Sequence, residues 1–186
     1  MKCVKIVGPR KLERAEMEYP EKKDKRVIID VVKAGICGSD IHNFESGEPV
    51  GLVMGHEFAG VVVDPGSRDD LKVGDHVTAL PISPCRKCFA CKSGNPQYCV
   101  HTWEDALGLA LTNPGAYSER ISVDASLVLK MPESVSFEEG AMVEPTAVGL
   151  HAIHLADIKV GDKVLVIGGG IIGLVSAMFA KMEGAS

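Results

Sequence analysis

Four cysteines fall within fifteen residues of one another, in the run Cys85-Arg-Lys-Cys88-Phe-Ala-Cys91-Lys-Ser-Gly94-Asn-Pro-Gln-Tyr-Cys99. No other segment constrains the fold so tightly. Zinc prefers four soft donors in a tetrahedron, and two-residue gaps let successive sulfurs converge on one ion. Gly94, Asn95 and Pro96 supply a turn that brings the chain back to Cys99. With all four positions filled by protein, no place is left for water or substrate, so the expected role is structural. The ion is expected to stabilise a loop too poor in apolar residues to fold unaided. Two rivals stand beside this reading. Four free surface thiols would oxidise readily, and an iron–sulfur cluster also takes cysteine ligands.

The remaining composition narrows the function classes. The 186 residues are 46% hydrophobic and 24% charged, ordinary for a soluble globular protein of one domain or a little more. A formal net charge of -5 argues against nucleic acid or an anionic membrane as partner. The basic run Lys22, Lys23, Lys25, Arg26 is broken by Asp24 and reads as a solvated turn. The N-terminus reaches charged residues before any apolar run, which predicts no signal peptide and a cytoplasmic location. The longest apolar stretch, Val164 to Phe179, contains four glycines and is too short to span a bilayer. In a reducing compartment the six cysteines are expected as metal ligands or free thiols and not as disulfides.

Residues 1 to about 130 read as strand-rich. Val27–Val32, Gly60–Val63 and Asp75–Leu80 are β-branched or apolar runs, and Tyr117–Val123 alternates between two sides. Short strands separated by Gly/Pro turns predict a barrel or sandwich. The character changes near residue 134. Ser136 is placed to cap a helix with Glu139 three residues later, and Pro145 predicts a kink or break in the apolar stretch that follows. Lys163–Ile167 then reads as a buried strand, Gly168-Gly169-Gly170 as a turn, and Ile171 to Met182 as a helix.

A second set of metal donors lies upstream, in Gly35-Ile36-Cys37-Gly38-Ser39-Asp40-Ile41-His42 and Gly55-His56-Glu57. Thiolate, imidazole and carboxylate are the donors of a catalytic zinc that keeps one position open. Singly, each has an ordinary explanation as a core cysteine, a hydrogen-bonded core histidine or a surface carboxylate, and spacing alone does not bring them together. With the four-cysteine run, Glu144-Pro-Thr-Ala-Val-Gly-Leu-His-Ala152 and the glycine turn at 168–173, these segments resemble, in order, the motifs of the medium-chain zinc-dependent dehydrogenases of alcohols, polyols and threonine.

The resemblance covers the whole chain and carries several expectations. The fold is mainly β with α: a GroES-like barrel with a four-cysteine zinc lobe over residues 1–150, then the first βα unit of a Rossmann domain over 151–186. Cys37 and His56 are implied as catalytic zinc ligands, with Glu57, Glu144 or both supplying the carboxylate. A glutamate at 144 followed by Pro145 points to the polyol and threonine branch. Ser39 is implied as the hydroxyl that passes the alcohol proton outward, and His42 as the outer end of that relay. Asp40 is a candidate for orienting a histidine ligand.

Gly168, Gly170 and Gly173 match the dinucleotide fingerprint between a strand and a helix, where helix N–H groups face the pyrophosphate. The implied activity is interconversion of an alcohol or polyol, or a hydroxy-amino acid, with its carbonyl compound by hydride transfer with NAD or NADP. Two zinc ions per chain are implied, one catalytic and one structural, with a small-molecule alcohol as the partner and a homo-oligomeric assembly. The alternative is a non-catalytic zinc-binding interaction module acting through the cysteine lobe. The ribose-binding acidic residue lies about twenty residues beyond the fingerprint, outside this sequence. The resemblance therefore also implies that the chain is truncated and does not turn over alcohol alone. An exposed Lys163–Ile167 strand would be an edge seeking a partner.

Overall fold

A computed structural model describes all residues 1–186. The chain forms two compact units, Met1–Ala141 and Met142–Ser186.

The first unit opens with an antiparallel hairpin of β1 (Lys2–Gly8) and β2 (Lys11–Glu16). A five-stranded antiparallel sheet follows, built from β3 (Arg26–Ala34), β4 (Phe58–Asp64), β5 (His76–Ala79), β6 (Arg120–Asp124) and β7 (Val128–Lys130), in the spatial order β6-β3-β4-β5-β7. The strands at the two ends of that order, β6 and β7, are joined in sequence by the single turn 125–127. The sheet must therefore curl until its edges meet at one corner, which gives the barrel character of the GroES-like fold.

Alternation drives the curl. Val27 and Ile29 on β3, Phe58 and Val62 on β4, Val77 and Ala79 on β5, and Ile121 and Val123 on β6 all point into one buried cluster. Side chains alternate with period two, so a one-residue slip would turn this whole set toward water. Each fully buried large apolar side chain contributes roughly 1.5–3 kcal/mol by its removal from water.

Three short helices complete the unit: α1 (Gly38–Ser46), α2 (Phe89–Lys92) and α3 (Phe137–Ala141). The Ser136–Glu139 cap forms as expected. The Ser136 N–H and hydroxyl both donate to Glu139 Oε2, and the Glu139 N–H donates to Ser136 Oγ.

The second unit holds α4 (Val143–Ala156) and α5 (Ile171–Met182), packed around Ile153, Ala180 and Ala185. Pro145 sits in the first turn of α4, where its missing N–H costs nothing, and the helical break falls just before it, between α3 and α4. The division at 141/142 comes before the expected boundary at 150 because α4 is one continuous helix that packs on α5. Lys163–Ile167 forms no ladder, and Leu165 and Ile167 are 83% and 90% exposed. A strand needs a hydrogen-bonded neighbour, and this unit contains none. No helix is long and apolar enough to cross a membrane.

Candidate metal centres

The four-cysteine lobe is held by α2 and the turn that follows it. Cys88 caps α2, Cys91 lies within it, and a 3₁₀ turn over Pro96–Tyr98 delivers Cys99. The four sulfurs lie within 4.8 Å of one another, with 3.5 Å between those of Cys88 and Cys91. A tetrahedral zinc with Zn–S bonds of about 2.3 Å spaces its sulfurs by about 3.8 Å, so the cradle has the right size. All four cysteines are free thiols. Backbone N–H groups point at the sulfurs: Cys85 and His101 donate to Cys99 Sγ, and Cys88 donates to Cys85 Sγ.

Hydrogen bonds from the Lys87 and Cys88 backbones pull the Cys85 thiol down to about 6, and the Cys91 N–H lowers Cys88. Desolvation and the neighbouring sulfurs push Cys91 up to about 12. Negative charge on sulfurs packed this closely is self-repelling, and a zinc ion held by the four cysteines would balance it.

The second donor set is assembled by strand register. Pairing of Ala34 with Phe58 at the ends of β3 and β4 sets residue 35 against residue 57, and the Gly35 N–H donates to the Glu57 carbonyl at 2.7 Å. Two residues further along, Cys37 caps α1. The donor atoms of Cys37, His56 and Glu57 lie within 4.8 Å of one another, with His56 and Glu57 buried.

Burial raises the Glu57 carboxyl above its ordinary value, opposed by the charge of His56 and a hydrogen bond with Cys37 and reinforced by Asp40. A buried group of this kind favours a bound cation, which removes the cost of carrying the charge in a dry site. Gly35 makes room for it, since a Cβ there would run into Glu57 Oε2.

Asp40 is 2% exposed. Its Oδ2 accepts from the Cys37 N–H and from the Tyr117 hydroxyl, each at 2.9 Å. Its Oδ1 lies 3.9 Å from His56 Nδ1, beyond hydrogen-bond reach, and both atoms are buried without a partner. The hydroxyl of Ser39 is likewise buried and unpartnered, while His42, three residues on along α1, is exposed. Glu144 stands in the first turn of α4. Gly170 caps α5, and Gly173 in its first turn lies against the Gly168 carbonyl, an approach that leaves no room for a Cβ. Tyr117 and Gly35 were not singled out by sequence. Tyr117 lies 77 and 82 residues from the groups its hydroxyl meets, and no local pattern marks it.

The sequence profile of the alcohol dehydrogenase GroES-like domain matches residues 23–133, which hold both donor sets except Glu144. The chain belongs to this GroES-like alcohol dehydrogenase family. Among its relatives, a zinc-type alcohol dehydrogenase-like protein of Escherichia coli K12, YdjJ, is 38% identical over 193 residues, covering 98% of this chain and 54% of the relative. The (R,R)-butanediol dehydrogenase of Bacillus subtilis is 36% identical over 201 residues, covering 100% and 56%. Among solved structures, an alcohol dehydrogenase of E. coli CFT073 complexed with NADH superposes with a TM-score of 0.86 at 33% identity, covering 97% of this chain and 53% of that one. The chain thus spans about half the length of the GroES-like dehydrogenases it matches.

Proposed function

We propose that this chain serves a zinc-dependent oxidoreductase that interconverts an alcohol or polyol and its carbonyl compound by hydride transfer with NAD or NADP. The observation that carries the reading is the convergence of Cys37, His56 and Glu57 at the buried end of β3 and β4. Three protein donors of three chemical kinds leave a fourth position open for substrate. Zinc held there would supply Lewis acidity, which eases loss of the alcohol proton.

The chain's own residues would do the rest. Cys37, held at a helix N-terminus, and His56, held in the dry core, fix the donor geometry. Ser39, with its hydroxyl buried and unpartnered, would take the proton of the substrate hydroxyl. His42, one turn further along α1 and exposed, would hand it to water. Gly168, Gly170 and Gly173 would let the pyrophosphate of the dinucleotide approach the N–H groups at the start of α5. The four-cysteine lobe would hold a second, structural zinc. Exposed apolar side chains at Leu165, Ile167 and Leu174 support a homo-oligomer, and six free thiols support a cytoplasmic setting.

A second reading, a zinc-binding interaction module, draws on the exposure of Phe89, Tyr98 and Trp103 in and beside the lobe. Metal content separates the two. Two zinc ions per chain, one of them lost in Cys37→Ala, are expected for the dehydrogenase. A single ion indifferent to Cys37→Ala would replace that reading with the module.

A further inference from the structure

Tyr117 supplies no metal donor, yet it touches the approach to every residue of the Cys37, His56 and Glu57 set. Its backbone is fixed on both sides: its N–H donates to the Met54 carbonyl at 2.9 Å, and its carbonyl accepts from Val4 at 2.8 Å. Its ring lies over Gly55, the residue before His56, so closely that a Cβ on Gly55 would stand 2.7 Å from Cδ1. Its hydroxyl reaches the Gly35 carbonyl at 3.0 Å and Asp40 Oδ2 at 2.9 Å. That same carboxylate oxygen accepts the backbone N–H of Cys37. Gly35 in turn bonds the Glu57 backbone and leaves space for the Glu57 carboxylate.

We infer that Tyr117 is the positioning residue of this site, a single side chain that fixes Cys37 through Asp40, Glu57 through Gly35 and His56 through Gly55. The inference rests on the proposed metal role of those three residues. The hydroxyl has one proton for two acceptors. The bond to the carboxylate is the stronger because it is charge-assisted, and it is the one that orients Asp40. Asp40 is almost wholly buried, so it cannot replace a lost donor with bulk water. Without the hydroxyl, the carboxylate keeps only the Cys37 N–H on that oxygen and is free to turn, and the cap that sets Cys37 turns with it. Partners one layer outside the ligands typically change metal affinity by roughly 10–100-fold when removed.

The test is a cobalt(II) titration of the metal-free 186-residue chain, read by visible absorption, for wild type, Tyr117→Phe and Cys37→Ala, with an apo unfolding curve for each. Phenylalanine keeps the ring on Gly55 and removes only the hydroxyl. The expected result is that Tyr117→Phe fills the four-cysteine site like wild type and binds the second ion roughly 10–100-fold more weakly, with the apo unfolding midpoint little changed. Wild-type affinity at the second site would overturn the inference. So would an equal loss at both sites accompanied by a lower apo midpoint, since that is what a merely structural tyrosine would produce. If wild type takes one ion only and Cys37→Ala matches it, the proposed function itself fails and the inference falls with it, a result distinct from the other two.

Discussion

Gly55→Ala should be among the most damaging single-methyl changes in the chain, and it should act on the metal site as well as on stability. Gly55 has φ +95°, a region that side chains other than glycine rarely adopt. Holding alanine there costs roughly 1–3 kcal/mol. The added methyl would lie 2.7 and 2.9 Å from two carbons of the Tyr117 ring and 3.0 Å from its backbone nitrogen, where carbon contacts prefer about 3.5–4.0 Å. The ring cannot swing away, because the Tyr117 N–H is bonded to Met54 and its hydroxyl is tethered at Gly35 and Asp40. Overpacking of a fixed wall costs roughly a further 1–3 kcal/mol. The two together come to roughly 2–6 kcal/mol, a large part of the 5–15 kcal/mol typical of a folded domain. Urea unfolding of the zinc-loaded chain measures the loss, and zinc titration measures what happens at His56, the next residue. The second-site affinity should fall while the four-cysteine site binds as before. A loss below about 1 kcal/mol, the size of an ordinary substitution, together with unchanged zinc binding, would refute the reasoning.

Two further outcomes follow from named contacts. Asp75 accepts from Lys130 Nζ at 2.8 Å and from the Lys72 N–H, and these bonds hold its carboxyl below the usual carboxylate range. A depressed folded-state pKa means that its stabilisation is complete above the unfolded value of 3.8 and is lost as pH falls below it. Thermal unfolding followed from pH 6 to pH 3 should therefore steepen below about pH 4, and Asp75→Asn should flatten that part of the curve; an unchanged profile would count against the assignment. Neither α2 nor the 3₁₀ turn over Pro96–Tyr98 buries a residue, so a strong chelator should loosen the lobe and speed tryptic cleavage after Lys87 and Lys92 while cleavage within the sheet stays slow. Equal resistance with and without chelator would show that the lobe does not depend on a metal.

What the sequence made legible depended on how local the cause was. The four-cysteine cradle was readable because all its donors lie on one short loop whose turns are themselves encoded. Strands β3 and β4 were readable because each turns β-branched side chains into the core. Strand β2 escaped because Lys11–Glu16 buries none of its residues and so carries no apolar alternation. Helix α1 escaped for a related reason: its one buried residue is Asp40, and a search for apolar periodicity passes over a buried carboxylate. Lys163–Ile167 shows the converse error, because a β-branched run encodes a willingness to pair and pairing itself requires a neighbour. The second donor set sits at the far end of this scale. Cys37 and Glu57 become neighbours only through the pairing of Ala34 with Phe58, and the hydroxyl that steadies them arrives from Tyr117, on the approach to β6. β6 is itself paired to β3, so the three chain segments that build the site are consecutive neighbours in one sheet. The register that buries Ile29 and Ile121 in the core is therefore the same register that aligns the site, and a slip that damaged one would dismantle the other.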